Sequence, residues 1–159
     1  MLIIAKLIVL CRCIGAISQP HIPLLGGGGG EQVTLKLVAQ YGDACNVGHL
    51  DNEGFAHKFD GLKQHCKNVG RDYNEIRRTV LLNCAIAEKD DEAMKKAEVF
   101  RRNIPSGRIR EQALVGTPAI IRQRSQEIEQ LGAQEVMLYM PDARGLESVR
   151  LFAGECIKR

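Results

Sequence analysis

Strand-like and helix-like segments alternate along this chain four times, and that alternation limits its possible folds more than any other feature. Short apolar runs at residues 22–25, 44–47, 79–87 and 135–140 are each followed by a stretch that alternates polar and apolar residues at helical spacing. Parallel neighbouring strands need a crossover of a dozen or more residues between them, which a helix supplies. The pattern therefore predicts an α/β fold with a parallel sheet. The run 79–87 is apolar almost throughout, as expected of a strand covered on both faces. Two architectures accommodate such a repeat: a doubly wound open sheet, or part of a (β/α)8 barrel.

Between the first strand and the first helix stand five consecutive glycines, Gly26 to Gly30. Glycine has no Cβ, so the chain there can adopt positive φ and let a ligand approach the main chain closely. A helix start immediately beyond adds unpaired N–H groups and the positive end of a dipole, which together suit a phosphate. The alternative reading of such a tract is a flexible linker. Its position inside one βα unit, rather than between two domains, favours the cradle. The tract satisfies Gly-x-Gly-x-x-Gly trivially and so gives no independent sign of a dinucleotide fold.

The helices carry recognisable signals. Val33, Leu37 and Tyr41, with Thr34 and Val38 alongside, mark one face of the first. Phe55, Phe59, Leu62, Cys66 and Val69 mark the second, which Asp51 or Asn52 can cap and Gly70 can end. Acids at residues 88–91 suit the start of a third helix, which turns Ala93, Ala97 and Phe100 inward. Residues 103–115 read as a loop. Thr117 and Pro118 begin a helix that carries Ile121, Ile128 and Leu131 and stops at Gly132, and the last helix is expected to bury Val149, Phe152, Ala153 and Cys156.

The first eighteen residues are apolar enough to suggest a signal peptide, but Lys6 and Arg12 interrupt the run. A strand, or a helix against the core, fits them better, with Gln19 to Pro23 as an extended lead-in. At 159 residues the chain has the size of one domain. Its Lys and Arg are interleaved with Asp and Glu for a net charge of +3, and aromatics make up 4%. Neither a basic footprint nor a stacking surface for nucleic acid is present in that pattern, so neither nucleic acid nor membrane is expected as a partner. Six cysteines fall mostly in apolar patterns, which points to reduced thiols and a cytoplasmic location rather than a disulfide framework. Cys45 with His49, and His65 with Cys66, lack the spacing of tetrahedral zinc sites, so no metal is expected.

Residues 20–35 (PHIPLLGGGGGEQVTL), 41–46 (YGDACN), 57–59 (HKF), 65–66 (HC) and 69–72 (VGRD) resemble, in that order, the C-terminal half of the bacterial luciferase-like flavin-dependent oxidoreductases. The nearest branch by this resemblance depends on the deazaflavin coenzyme F-420. Gly116-Thr117-Pro118 and Leu131-Gly132-Ala133 are similar to that family's closing segment. The resemblance implies a partial TIM (β/α)8 barrel covering about strands five to eight, over residues 19–159, preceded by an unrelated apolar segment at 1–18. It implies oxidoreductase or monooxygenase chemistry on a small-molecule substrate, with FMN or coenzyme F-420 as the hydride carrier. Cofactor contacts fall by the same resemblance on Gly27, Gly28, Gly29 and Gly30 as phosphate-facing backbone, and on Asn46 and Val47 at the end of the next strand.

No catalytic acid or base is identified. His49, His57 and His65 are candidates by type, but His57 and His65 lie on a helix expected outside the barrel. Asp43, at the start of a strand, reads as structural. The family's first four strands have no counterpart before Gln19, and Gly42 stands where an alanine is usual. The chain thus reads as a truncated half-barrel. A non-catalytic half-barrel that binds at most a phosphate-bearing ligand is the alternative, and its open edges could be relieved in a homodimer.

Overall fold

The computed structural model describes residues 22–142 and 146–157, so the expectations for residues 1–18 and for the lead-in at 19–21 lie outside the described residues. The strands are β1 (Leu25–Gly27), β2 (Ala44–Gly48), β3 (Arg77–Ile86), β4 (Ala113–Gly116) and β5 (Glu135–Tyr139), and every pairing among them is parallel. The helices are α1 (Lys36–Tyr41, entered through a π turn at Glu31–Leu35), α2 (Asn52–Val69), α3 (Asp90–Ala97), α4 (Ile109–Gln112), α5 (Pro118–Gln130) and α6 (Glu147–Cys156).

The register fixes the order across the sheet. β3 pairs with β2 at Arg77–Leu81, with β5 at Thr79–Asn83 and with β4 at Asn83–Ile86. A residue has one partner on each edge, so the overlap at residues 79–81 puts β2 and β5 on opposite edges of β3. The overlap at Asn83 likewise sets β4 opposite β5. β4 therefore continues along the β2 edge of β3 beyond the point where β2 ends. The frame is β1-β2-β3-β5, four parallel strands in chain order, with β4 as an inserted fifth.

β1 begins later than the apolar run suggests and extends into the glycine tract. Packing explains this. Val38 of α1 lies so close over β1 that a Cβ at Gly26 would come 2.3 Å from its Cγ2. Only glycine lets the helix sit that near the strand. The buried face of the first helix is Leu35, Val38 and Ala39, while Val33 and Tyr41 are exposed. The chain enters this helix through a π turn closed by Leu35 N–H to Gly30 O at 3.0 Å; the helix has apolar residues on more than one face, and its contact with β1 through Val38 selects the one with Leu35 and Ala39.

α2 follows its periodicity closely. Phe55, Phe59, Leu62 and Cys66 are buried, though Val69 at its end is exposed. Asp51 caps it by accepting from Gly54 N–H at 2.8 Å, and Gly70 ends it at φ 70°. α3 and the 3-10 segment after it bury Ala93, Ala97 and Phe100 as expected. Residues 103–115, read as a loop, instead hold a 3-10 turn, α4 and most of β4. α6 turns Ser148 inward and half-buries Leu151, Phe152 and Cys156, whereas Val149 and Ala153 face out.

The main core lies between one face of the sheet and the helices. Cys45 and Val47 of β2, with Val80, Leu82, Cys84 and Ile86 of β3, meet side chains of α1, α2 and α5 there. A smaller cluster, with Ala85, Ala113 and Val115 against Ala93, Ala97 and Phe100, covers the other face at the β3–β4 end, the only cover of that face among the described residues. At the N-terminal ends of the strands, Arg78 holds the turns together. Its Nε donates to Gly132 O at 2.9 Å, Nη1 donates to Ile76 O at 3.1 Å, and the guanidinium stacks over Tyr73 at 4.4 Å.

Candidate functional site

Because every strand runs the same way, their C-terminal ends emerge at one rim, and this rim carries the glycine loop. Asp43 fixes the loop's base: its Oδ2 accepts from Leu24 N–H at 2.7 Å, which holds the start of β1 against the start of β2. That is the structural role expected of it. At the far end of β1, Gly28 takes φ 118° and donates its N–H to Asn46 O at 2.9 Å. An L-residue rarely adopts that φ, so the turn depends on glycine. Gly27 faces open space, since a Cβ there would meet nothing within 4 Å. Gly30 is extended and opens the helical run, and its carbonyl accepts the first π-turn bond.

Thr34 leans over this loop from the first helical turn, with its hydroxyl 3.1 Å from where a Cβ at Gly30 would stand. Periodicity alone places Thr34 only on a helix flank. What could have marked it is its position four residues beyond the tract, one helical turn from Gly30. Its hydroxyl is a hydrogen-bonding group beside Gly28 and Gly30, of which Gly28 already gives its own N–H to Asn46 O.

Asn46 joins loop and sheet. Its main-chain oxygen takes the Gly28 bond, its Nδ2 donates to Met137 Sδ of β5 at 3.4 Å, and its Oδ1 is enclosed without a partner among the described residues. The side chain thus lies on the sheet face away from the main core. Val47, the next residue, points the opposite way into the main core and is 1% exposed. Its side chain is therefore turned away from the face on which Asn46 lies.

The histidines are dispersed. His57 of α2 is exposed and its Nε2 lies 2.9 Å from Glu31 Oε1, while Lys58 Nζ donates to the same oxygen at 2.5 Å. His65 Nε2 is 2.9 Å from Glu31 O. These contacts tie the helix start to α2 from outside, and Lys58 runs beside Gly29. The hydrogen bond from Lys58 holds the Glu31 carboxyl below its usual range. Of the described histidines His49 stands at the rim, just after β2, at φ 58° with its N–H donating to Leu81 O at 3.2 Å. Among the described residues no three His, Cys, Asp or Glu side chains gather as metal ligands would.

A second polar group at the rim has no local sequence signal. Lys96 Nζ donates to Ile86 O at 3.1 Å and to Ser148 Oγ at 2.7 Å, and pairs with Asp142 Oδ2 at 3.0 Å. Ser148 Oγ also donates to Asp142 Oδ2 at 2.5 Å. Desolvation raises the Asp142 carboxyl, but the bonds from Ser148 and Lys96 outweigh it and leave the group below its ordinary value. The cluster locks α3, the end of β3 and α6 together.

The model of a family described as luciferase-like monooxygenase matches residues 14–108. No curated protein matches the sequence. Among solved structures, a secondary alcohol dehydrogenase dependent on coenzyme F-420 superposes with TM-score 0.71 at 13% identity, covering 86% of this chain and 48% of that one. A monooxygenase from Streptomyces bottropensis gives 0.68 at 22% identity, covering 87% and 48%. The coenzyme F-420 dependent tetrahydromethanopterin reductase of Methanopyrus kandleri gives 0.67 at 15%, covering 84% and 50%. Likeness at such identities shows the fold: an α/β chain built like part of these barrel proteins, spanning about half their length.

Proposed function

The chain belongs to the luciferase-like monooxygenase family, and from that membership we propose that its glycine loop binds the phosphate-bearing tail of a reduced flavin or deazaflavin coenzyme, FMN or coenzyme F-420, for oxidoreductase chemistry. One observation carries the assignment. The loop leaves the C-terminal end of a parallel strand at Gly28 with φ 118°, opens at Gly27, and runs into a helix start under the Thr34 hydroxyl. Active sites of parallel barrels lie at that rim.

The residues present fit such a group. A phosphate before Gly27 and Gly28 meets glycine backbone with no Cβ to exclude it, and Gly29 and Gly30 continue that surface to the helix start. Thr34 supplies a neutral hydroxyl donor beside Gly28 and Gly30. Asn46 supports the loop from below through its main-chain bond to Gly28, and its unpartnered Oδ1 is an acceptor on the inner sheet face. Val47 contributes backbone only. When bound, the coenzyme supplies hydride or oxygen-activating chemistry, and this chain's part is to grip and orient it. His49 is the titratable side chain placed nearest in sequence to that rim of β2.

The test is fluorescence titration with FMN and with coenzyme F-420, repeated in Thr34→Val. Binding by the natural chain, weakened about ten- to a hundredfold in the variant, supports the assignment, because that is the worth of a hydrogen bond to a charged group. Absence of binding to either coenzyme refutes it. Because the chain spans about half of the solved relatives, binding without turnover of a reductant identifies the second reading, a coenzyme-holding half-barrel without catalysis.

A further inference from the structure

We infer that the inner face of the sheet and its two outer strands seat a second copy of this chain, so that two four-stranded halves close into one eight-stranded barrel. The inference stands independently of which coenzyme the loop takes.

The first observation is that, among the described residues, the frame ends in two unpaired edges. Among the described residues β1 pairs only with β2, and β5 only with β3. Neither strand has the lysine or proline within its length that protects natural edges, and the glutamate that opens β5 is engaged by Arg77 at 3.4 Å. Two large apolar side chains sit on these strands and remain exposed, Leu25 at 44% and Tyr139 at 59%. By strand alternation Leu25 and Tyr139 both lie on the inner face, the one away from the main core, as do Gly27, Asn46 and Met137. Among the described residues that face has helical cover only at the β3–β4 end.

The second observation selects the partner. All pairings are parallel, so β1 and β5 point the same way although they stand at opposite sides of the sheet. A two-fold axis along the strand direction then brings β5 of one copy beside β1 of its partner, and β5 of the partner beside β1 of the first. Both junctions are parallel, both edges are consumed, and the assembly is closed. An axis perpendicular to the strands would pair like edges antiparallel and leave the other two open. In that closed assembly each glycine loop faces an enclosed lumen instead of solvent.

Sedimentation velocity on the full chain tests the assembly, with cross-linking to test its geometry. The expected species is a dimer, and Tyr139→Lys or Leu25→Lys, each charging one edge, raises its dissociation constant at least about tenfold while circular dichroism stays unchanged. In the second arm, Leu25→Cys and Tyr139→Cys chains are mixed and treated with a short bis-maleimide. Linked peptides joining residue 25 to residue 139 between chains, absent when either variant is treated alone, support the two-fold closure. A monomer across the micromolar range overturns it and leaves a different chain as the edge partner. A dimer that links 25 to 25 or 139 to 139 overturns it as well, because like edges would then be paired.

Discussion

Replacing Gly26 with alanine is the sharpest probe of how the first βα unit is packed. The added Cβ would lie 2.3 Å from Val38 Cγ2, where carbon atoms in contact keep about 3.5–4.0 Å. Val38 is 3% exposed and β-branched, so it cannot swing aside without leaving its preferred rotamer or pushing α1 off the sheet. Overpacking of this kind costs about 1–3 kcal/mol. Against it stands a gain of about 0.4–1 kcal/mol from a stiffer unfolded chain, since Gly26 is not among the glycines with positive φ. The expected net loss is about 1–2 kcal/mol by urea unfolding. Two comparisons isolate the cause. Gly27→Ala, whose Cβ meets nothing within 4 Å, should be neutral or slightly stabilising. Val38→Ala removes the colliding methyl, so the double variant Gly26→Ala/Val38→Ala should be more stable than the sum of the two single losses, by a coupling of about 1 kcal/mol. Strictly additive losses, or a Gly26→Ala chain as stable as the natural one, would refute the packing argument.

Three further outcomes follow from the same contacts. Gly28→Ala forces an L-residue to φ 118° and should cost about 1–3 kcal/mol in urea unfolding, and it should weaken FMN or coenzyme F-420 binding in the same titration used for Thr34. Glu31 is held below its ordinary value of 4.5 by Lys58, so it binds protons less readily folded than unfolded; its stabilisation is present above pH 4.5, fades as pH falls through the lower folded value, and should vanish from the acid limb of a pH-dependent melting series in Glu31→Gln. Burial pushes the Cys84 thiol up to about 12 from 9.0, so stability should fall as pH rises past 9, where the unfolded thiol ionises and the folded one does not; iodoacetamide at pH 8 should leave Cys84 unmodified until the chain is unfolded, as read by mass spectrometry.

What could be read from residues alone follows the range of the interaction concerned. α2 is legible because its apolar spacing, its Asp51 cap and its Gly70 stop all lie within one segment. The parallel frame is legible because four such segments repeat. β4 is not: four residues in a stretch rich in arginine and glycine carry no period, and they become a strand only because β3 outruns β2 and offers a vacant edge beyond Leu81. The buried face of the first helix is not legible because its apolar residues cover more than one face, and only the contact of Val38 with β1 at Gly26 selects the one that is buried. The rim cluster of Lys96, Asp142 and Ser148 joins residues 46 to 52 positions apart through the tertiary fold, so no spacing rule could have found it.

The glycine tract shows why one motif can look like a linker in sequence and be fully specified in the fold. Its five residues answer to different demands. Gly26 is required by a helix that packs onto the strand, and Gly28 by a turn that hands its N–H to Asn46. Gly27 is required by neither, because a side chain there would meet only open space at the rim. Packing therefore does not explain why Gly27 lacks a Cβ; close approach of a ligand, as the proposed coenzyme role requires, would. Stability depends on the first glycine and the turn on the third, while Thr34 stands beside Gly28 and Gly30. A flexible tether would place no such separate demands on neighbouring residues, so the requirements at Gly26 and Gly28 set this tract apart from a linker.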